Sequence, residues 1–225
     1  MKNKMTRTLT AAAVLLCTLS LTGCGNKAQT YTDYVQAVMD CTYRNDSAKY
    51  IELTEASAED AQAVYDDEIE YISSLLRYNA AVEADYVNEG TITGFDGLAR
   101  TLAGKVKYTV DPAVQSGDTY HITLHAEPVD FWDSAIEQLS DVYENEFSEH
   151  FYSVAADSKE YEALEQQWAI RALDVLTEAV EQTGYKEEQS IIVEITVDED
   201  GNYGIDDKNW MDIDDLLLDM DSNAD

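Results

Sequence analysis

Apart from its acids, the chain holds few residues that could do chemistry. His121 and His125 flank Thr123 in the run from Thr119 to Glu127, where apolar and polar residues alternate and predict a strand. Residues two apart on a strand share a face, so both imidazoles point the same way, but at this spacing they stand about 13 Å apart. One metal ion cannot bridge that gap, because a ligand nitrogen must lie about 2 Å from it. His150 falls on another element. The run Lys105 to Val110 alternates in the same sense. If Val106, Tyr108, Val110, Tyr120, Ile122 and Leu124 turn towards a core, Lys105, Lys107, Thr109, His121, Thr123 and His125 turn away from it together. Lys105, Lys107, His121 and His125 are therefore the candidate binding face. It suits an anionic or polar partner, with acids such as Glu194 available for cross-strand pairing.

Other patterns carry less chemistry. Thr196 to Asp207, with Asp198, Asp200, Gly201 and Asn202 inside it, has part of the spacing of a calcium loop. Thr stands at the first place, where Asp is needed, and Asp at the twelfth, where a bidentate Glu is needed. Asp200-Gly201 reads instead as a hairpin turn. Carboxylates run together at Asp66 to Glu68, Asp198 to Asp200, Asp206-Asp207 and Asp212 to Asp215. A glycosidase needs two carboxylates opposed across a sugar-sized cleft, and adjacency in a run does not supply that. Cys41 lies on the apolar stripe Tyr34, Val38, Cys41 with no nearby His or base, so it reads as a buried structural thiol. Neither a Gly-x-Ser-x-Gly elbow nor a phosphate-binding loop nor a dinucleotide fingerprint occurs. The sequence calls for no catalytic residue, no cofactor and no metal.

Composition narrows the classes further. The chain has 225 residues, with 46 Asp and Glu against 14 Lys and Arg, a formal charge of −32. That balance excludes nucleic acid as a partner, which needs a basic footprint. A hydrophobic content of 45% is enough for a core, so the acidity is not that of a disordered tail. Fifteen tyrosines, including Tyr31, Tyr34, Tyr65, Tyr71, Tyr143 and Tyr161 on expected helices, suit half-buried helix faces. They could also line a groove for a peptide or sugar.

The N-terminus indicates location. Lys2, Lys4 and Arg7 precede an uncharged, mostly apolar run from Leu9 to Leu21. At about 13 residues it is too short to span a bilayer and reads as a signal-peptide core. It ends in Leu21-Thr22-Gly23-Cys24, which resembles the lipobox of bacterial lipoproteins: an aliphatic residue, two small residues, then Cys. The resemblance implies that Leu21, Thr22 and Gly23 are recognised by the signal peptidase. It implies that the Cys24 thiol receives a diacylglyceryl group, and that residues 1–23 are removed. The remaining 202 residues would carry a charge of −35, because three cations and no anion leave. Two acyl chains give stable attachment, whereas a surface this acidic is repelled by anionic lipid. Only Cys41 would then be left as a free thiol, so no intramolecular disulfide forms. Residues 25–30 are expected to be a short polar tether, which would keep the folded part close to the outer face of the membrane.

The elements that must position these residues read as two similar halves, 31–129 and 130–225. Helices are expected over Thr32 to Arg44, from Ser57 to about Val87 behind a capping box at Ser57 to Asp60, and over Asp96 to Ala103. A hairpin follows, Lys105 to Val110 and Thr119 to Glu127, turning at Ser116 to Asp118. The second half begins with a helix near Asp130 with Trp132, Ile136, Leu139, Tyr143 and Phe147 on one face. A second helix from Asp157 carries Leu164, Trp168, Ala172, Leu176 and Val180 and ends by Gly184. The strand Ser190 to Val197, a short strand Asn202 to Asp206 and an acidic helix with Trp210, Ile213 and Leu217 complete it. The expected fold class is α+β: helix, helix, hairpin, arranged twice, with an antiparallel sheet of about four strands packed against helices on one face. The chain resembles small lipoproteins of Gram-positive type that carry α+β domains of unknown function. It is loosely similar to cystatin-like and nuclear-transport-factor-like architectures. These readings imply a lipid-anchored protein on the outer face of the cell membrane, acting as a binding or interaction module of the envelope. Its partner would be an envelope protein or a small ligand. The alternatives are an accessory subunit that docks on a membrane complex, and an envelope hydrolase using paired carboxylates.

Overall fold

A computed structural model describes residues 27–117, 119–156, 158–197 and 203–219. Its helices are α1 (Lys27–Arg44), α2 (Ala48–Thr54), α3 (Ala58–Asn79), α4 (Glu89–Ala103), α5 (Trp132–Val142), α6 (Ser148–Ser153), α7 (Lys159–Glu181) and α8 (Asp207–Leu218). A 3-10 turn covers Ala84–Tyr86, and a π-helical turn, Tyr143–Phe147, joins α5 to α6. The strands are β1 (Lys107–Val110), β2 (Val114–Ser116), β3 (Thr119–Glu127), β4 (Val129–Asp130), β5 (Gly184–Tyr185), β6 (Gln189–Val197) and β7 (Tyr203–Ile205). The class is α+β.

The main sheet is antiparallel, in the order β1-β3-β6-β7, with β2 also on β3. The two hairpins meet through β3 and β6, where Ile122 lies opposite Val193 and His121 opposite Glu194. β1 and β2 share one edge of β3 out of step. Val110 pairs with Leu124 and Val114 with His121, so three residues, Asp111 to Ala113, face two. That extra residue is a bulge. Pro112 sits in it, at an edge position where a missing N–H breaks no ladder bond.

The alternation of β3 sorts its side chains. Ile122, Leu124 and Ala126 are buried with Tyr108, Val193 and Ile195 on one face. Helix α1 lies on that face. Its Tyr31 ring meets Tyr120 at 4.4 Å and Tyr203 at 4.9 Å, and Tyr34 also meets Tyr203. α8 packs beside it through Ile213 and Leu217, and the Tyr43 hydroxyl of α1 donates to the buried Asp214 carboxylate of α8. α3 packs on α1 and on α4, α4 on α7, and α7 on α5, building a helical layer away from the sheet.

Several boundaries differ from expectation. α1 begins at Lys27 and takes in residues 27–30, where the sequence predicts a tether. The Tyr31 stack and the bond from Thr32 Oγ1 to the Ala28 carbonyl hold this extra turn. α3 starts at its capping box: Ser57 Oγ accepts from Asp60 N at 3.0 Å, and Asp60 Oδ2 accepts from Ser57 N at 3.1 Å. It ends at Asn79, eight residues early, because Ala81 takes a left-handed φ of 53° and Val82 N–H reaches back to the Arg77 carbonyl. α4 begins at Glu89, not Asp96, since Asn88 Oδ1 caps Thr91 N at 3.0 Å. Ile136, placed on the inner face of α5, is 40% exposed.

Candidate binding face

The strand alternation that buries Ile122 and Leu124 turns Thr119, His121, Thr123, His125 and Glu127 of β3 to the other side. Register brings Lys107 and Thr109 of β1, Val114 of β2, and Ser190, Ile192 and Glu194 of β6 alongside them. Two large apolar side chains stand open on this face, Ile192 (60% exposed) and Val114 (65%). Both flank the half-buried pair His121 and Thr123: Val114 lies opposite His121 and Ile192 opposite Thr123.

The structure brings three of the four candidate residues onto this face. Lys107 Nζ lies 3.0 Å from Glu127 Oε2 and 3.5 Å from the centre of the Tyr185 ring. His125 Nε2 is 3.1 Å from Asp111 Oδ2, and its Nδ1 is 3.7 Å from Glu188 Oε1. His121 lies opposite Glu194 and approaches Thr119 Oγ1 at 3.5 Å. Lys105 sits off the ladder, between α4 and β1, where its carbonyl accepts from the Tyr185 hydroxyl at 2.9 Å. Lys107 and both histidines therefore have an acid beside them, and exposed pairs of this kind contribute little. The face is mixed, with acids beside Lys107 and both histidines and apolar openings between them. That composition suits a polypeptide surface better than a free anion.

Asn209, which the sequence reading passed over, finishes the edge of this face. β7 ends at Ile205, leaving part of β6 without a strand partner on that side. The Asn209 Oδ1 atom accepts from Glu194 N at 2.9 Å and supplies the missing bond. The signal available in sequence was its place three residues after the α8 cap Asp206, whose carboxylate accepts from Lys208 N.

The carboxylate runs that lie within the described residues serve local roles. Asp66 faces Arg100 at 3.5 Å, Glu68 is buried within α3, and Asp214 is bonded by Tyr43. Asp198, Asp200, Gly201 and Asn202 lie outside the described residues, as do Cys24, Leu21, Thr22 and Gly23. Among the described residues no group of three or more His, Cys, Asp or Glu could hold a metal ion. Cys41 is buried, its thiol donates to the Ala61 carbonyl at 3.4 Å, and burial pushes its pKa up to about 11. It stays protonated and cannot act as a nucleophile at neutral pH.

A shallow groove of about 300 Å³ runs between α4 and α7, lined by Gly97, Leu98, Leu173, Asp174 and Glu181 among others. Leu173 of α7 packs over Gly94 of α4, where a Cβ would sit 2.5 Å from Leu173 Cδ2, so a side chain there would require Leu173 to move.

No protein-family model matches this chain, and no curated protein matches it. Among solved structures it is similar to the lipoprotein candidate ycdA of Bacillus subtilis, at 16% identity and a TM-score of 0.54. The match covers 85% of this chain and 57% of that protein. At that identity the likeness is one of fold, and this chain spans a little over half the length of its neighbour.

Proposed function

We propose that this protein is a lipid-anchored module on the outer face of the cell membrane, and that it binds an envelope partner through the open face of its sheet. One observation carries the reading. Among the described residues α1 and α8 cover one side of the sheet, and the other side presents Ile192 and Val114 to solvent beside His121, Thr123 and His125. Exposed β-branched residues next to half-buried polar ones form a surface of the mixed polar and apolar kind that protein partners cover.

The anchor rests on the Leu21-Thr22-Gly23-Cys24 motif and its flanks. It is supported by the fold shared with a lipoprotein candidate. Among the described residues no helix is long and apolar enough to cross a membrane, which is compatible with attachment by lipid. Only Gly25 and Asn26 separate Cys24 from α1, so an acylated Cys24 would hold the start of α1 within about 11 Å of the lipid surface. The end of the sheet carrying Tyr120 and Tyr203, which touch Tyr31, would then lie towards the membrane. A module held so short is placed to meet other membrane-attached proteins. The hydrolase alternative gains nothing from the carboxylate runs described above: Asp66 faces Arg100, Glu68 and Asp214 are buried, and Asp206 caps α8.

Metabolic labelling with a palmitate analogue tests the anchor. Label on the wild-type chain, absent from Cys24→Ser, is the expected result. An unlabelled, freely secreted wild-type chain would overturn it.

A further inference from the structure

Helix α7 carries an acid where its apolar stripe should continue. Glu165 is 5% exposed, one turn ahead of the buried Trp168. Its Oε2 atom is buried without a hydrogen-bond partner among the described residues. Tyr161 lies one turn before Glu165 on α7, and its hydroxyl and this carboxyl influence each other electrostatically. Aromatic rings gather on Tyr161 and Trp168, the residues one turn to either side of Glu165 on α7. Phe151 meets Tyr161 edge-on at 5.5 Å, and Tyr86 does so at 5.8 Å. Tyr143 stacks on Phe151 at 5.8 Å and meets Trp168 at 5.4 Å. Tyr86, Tyr143, Phe151 and Tyr161 are only half-buried, so the cluster reaches the surface. Tyr143 and Phe147 are supplied by the π-helical turn, a locally unfavourable geometry that recurs at functional positions.

The electrostatics have one sign. The charges that act on these groups among the described residues are acids: Glu83 on Glu165 and Tyr161, and Glu144 and Glu165 on Tyr143. A buried carboxyl with an unpaired oxygen is costly and needs an explanation. The faces of tyrosine and phenylalanine attract cations. A metal ion of the calcium type would want six or more oxygens, which this cluster lacks. An organic ammonium needs an anionic acceptor and ring faces, which it has.

We propose that this cluster is a binding site for a small organic cation, an ammonium or guanidinium group seated against Glu165 Oε2 and walled by Tyr143, Phe151 and Tyr161. The site is separate from the sheet face, and the proposal does not depend on it. A ligand enters by displacing one of the half-exposed rings, and burial holds the empty carboxyl above the usual carboxylate range until a cation pairs with it.

Ligand-observed saturation-transfer NMR on the full chain in a non-ionic detergent tests this, with benzylammonium as probe and benzyl alcohol as its uncharged counterpart. Wild type is expected to transfer saturation to benzylammonium and not to benzyl alcohol. Glu165→Gln, which keeps the shape and removes the charge, is expected to abolish the transfer. Phe151→Leu, which keeps bulk and removes a ring face, is expected to weaken it and serves if the first variant fails to fold by circular dichroism. Glu149→Gln, an exposed acid on α6, should leave it unchanged. No transfer to benzylammonium in wild type overturns the proposal. So does equal transfer to benzyl alcohol, which would mean an apolar slot only. Transfer unaffected by Glu165→Gln, or lost equally in Glu149→Gln, would mean diffuse attraction to an acidic surface and overturns it too.

Discussion

Truncating one residue on each face of the sheet measures its one-sidedness directly. Leu124 is fully buried in the middle of β3, between Val110 of β1 and Ile191 of β6. Ile192 lies on the adjacent strand, opposite Thr123, and is 60% exposed. Leu124→Ala removes buried methyl groups and leaves a cavity, which costs about 2–5 kcal/mol. Ile192→Ala removes methyl groups already in water and loses only strand preference, below about 1 kcal/mol. With a urea slope of about 2 kcal/mol per molar, the first shifts the unfolding midpoint down by roughly 1–2.5 M and the second by less than about 0.5 M. Urea unfolding followed by far-ultraviolet circular dichroism on the two variants reads both. Equal, large shifts would mean that Ile192 is covered in the folded protein, and the argument for an open face would fail.

Four further outcomes follow from local contacts. Ser57→Ala removes the hydroxyl half of the capping box and should cost about 1 kcal/mol with an unchanged urea slope, whereas Ser57→Asp should largely restore the midpoint. Asp60 is held below the usual carboxylate range by the Ser57 hydroxyl and N–H, so its NMR titration should move up in Ser57→Ala. Burial raises the Glu165 carboxyl, so the folded chain holds that proton more tightly than the unfolded chain does. Stability should then fall as pH rises from the ordinary glutamate range towards the raised native value, and Glu165→Gln should remove that part of the fall when midpoints are compared across pH. A thiol reagent at pH 8 should label Cys41 slowly in the native chain and rapidly in denaturant, as located by peptide mass; rapid native labelling would contradict its burial.

The parts of the fold set by local chemistry were legible. Ser57 and Asp60 announce the start of α3, and the alternation of β3 and β6 states which side chains meet the core. The losses came where tertiary contact decides. Residues 89–95, outside the expected helix Asp96 to Ala103, are the first half of α4: Asn88 caps them and Leu173 packs over Gly94. α2 and β2 are too short for periodicity to show. A left-handed Ala81 ends α3 in a residue with no turn signature. Of the candidate face, Lys107, His121 and His125 were readable from strand parity. Ile192, Val114 and Asn209 were not, since their roles depend on pairing between β2, β3 and β6 and on where β7 stops. The aromatic surroundings of Glu165 are assembled from α6, α7, the 3-10 turn and the π turn, and no spacing in the sequence links those segments.

The most direct test of the central claim places a photoreactive amino acid at position 192 of the full chain in its own cells, with position 149 on exposed α6 as control. Irradiation is expected to trap one defined envelope species from position 192 and not from position 149. A chain that stays uncrosslinked at 192, or that gives the same adducts from both positions, would contradict the account.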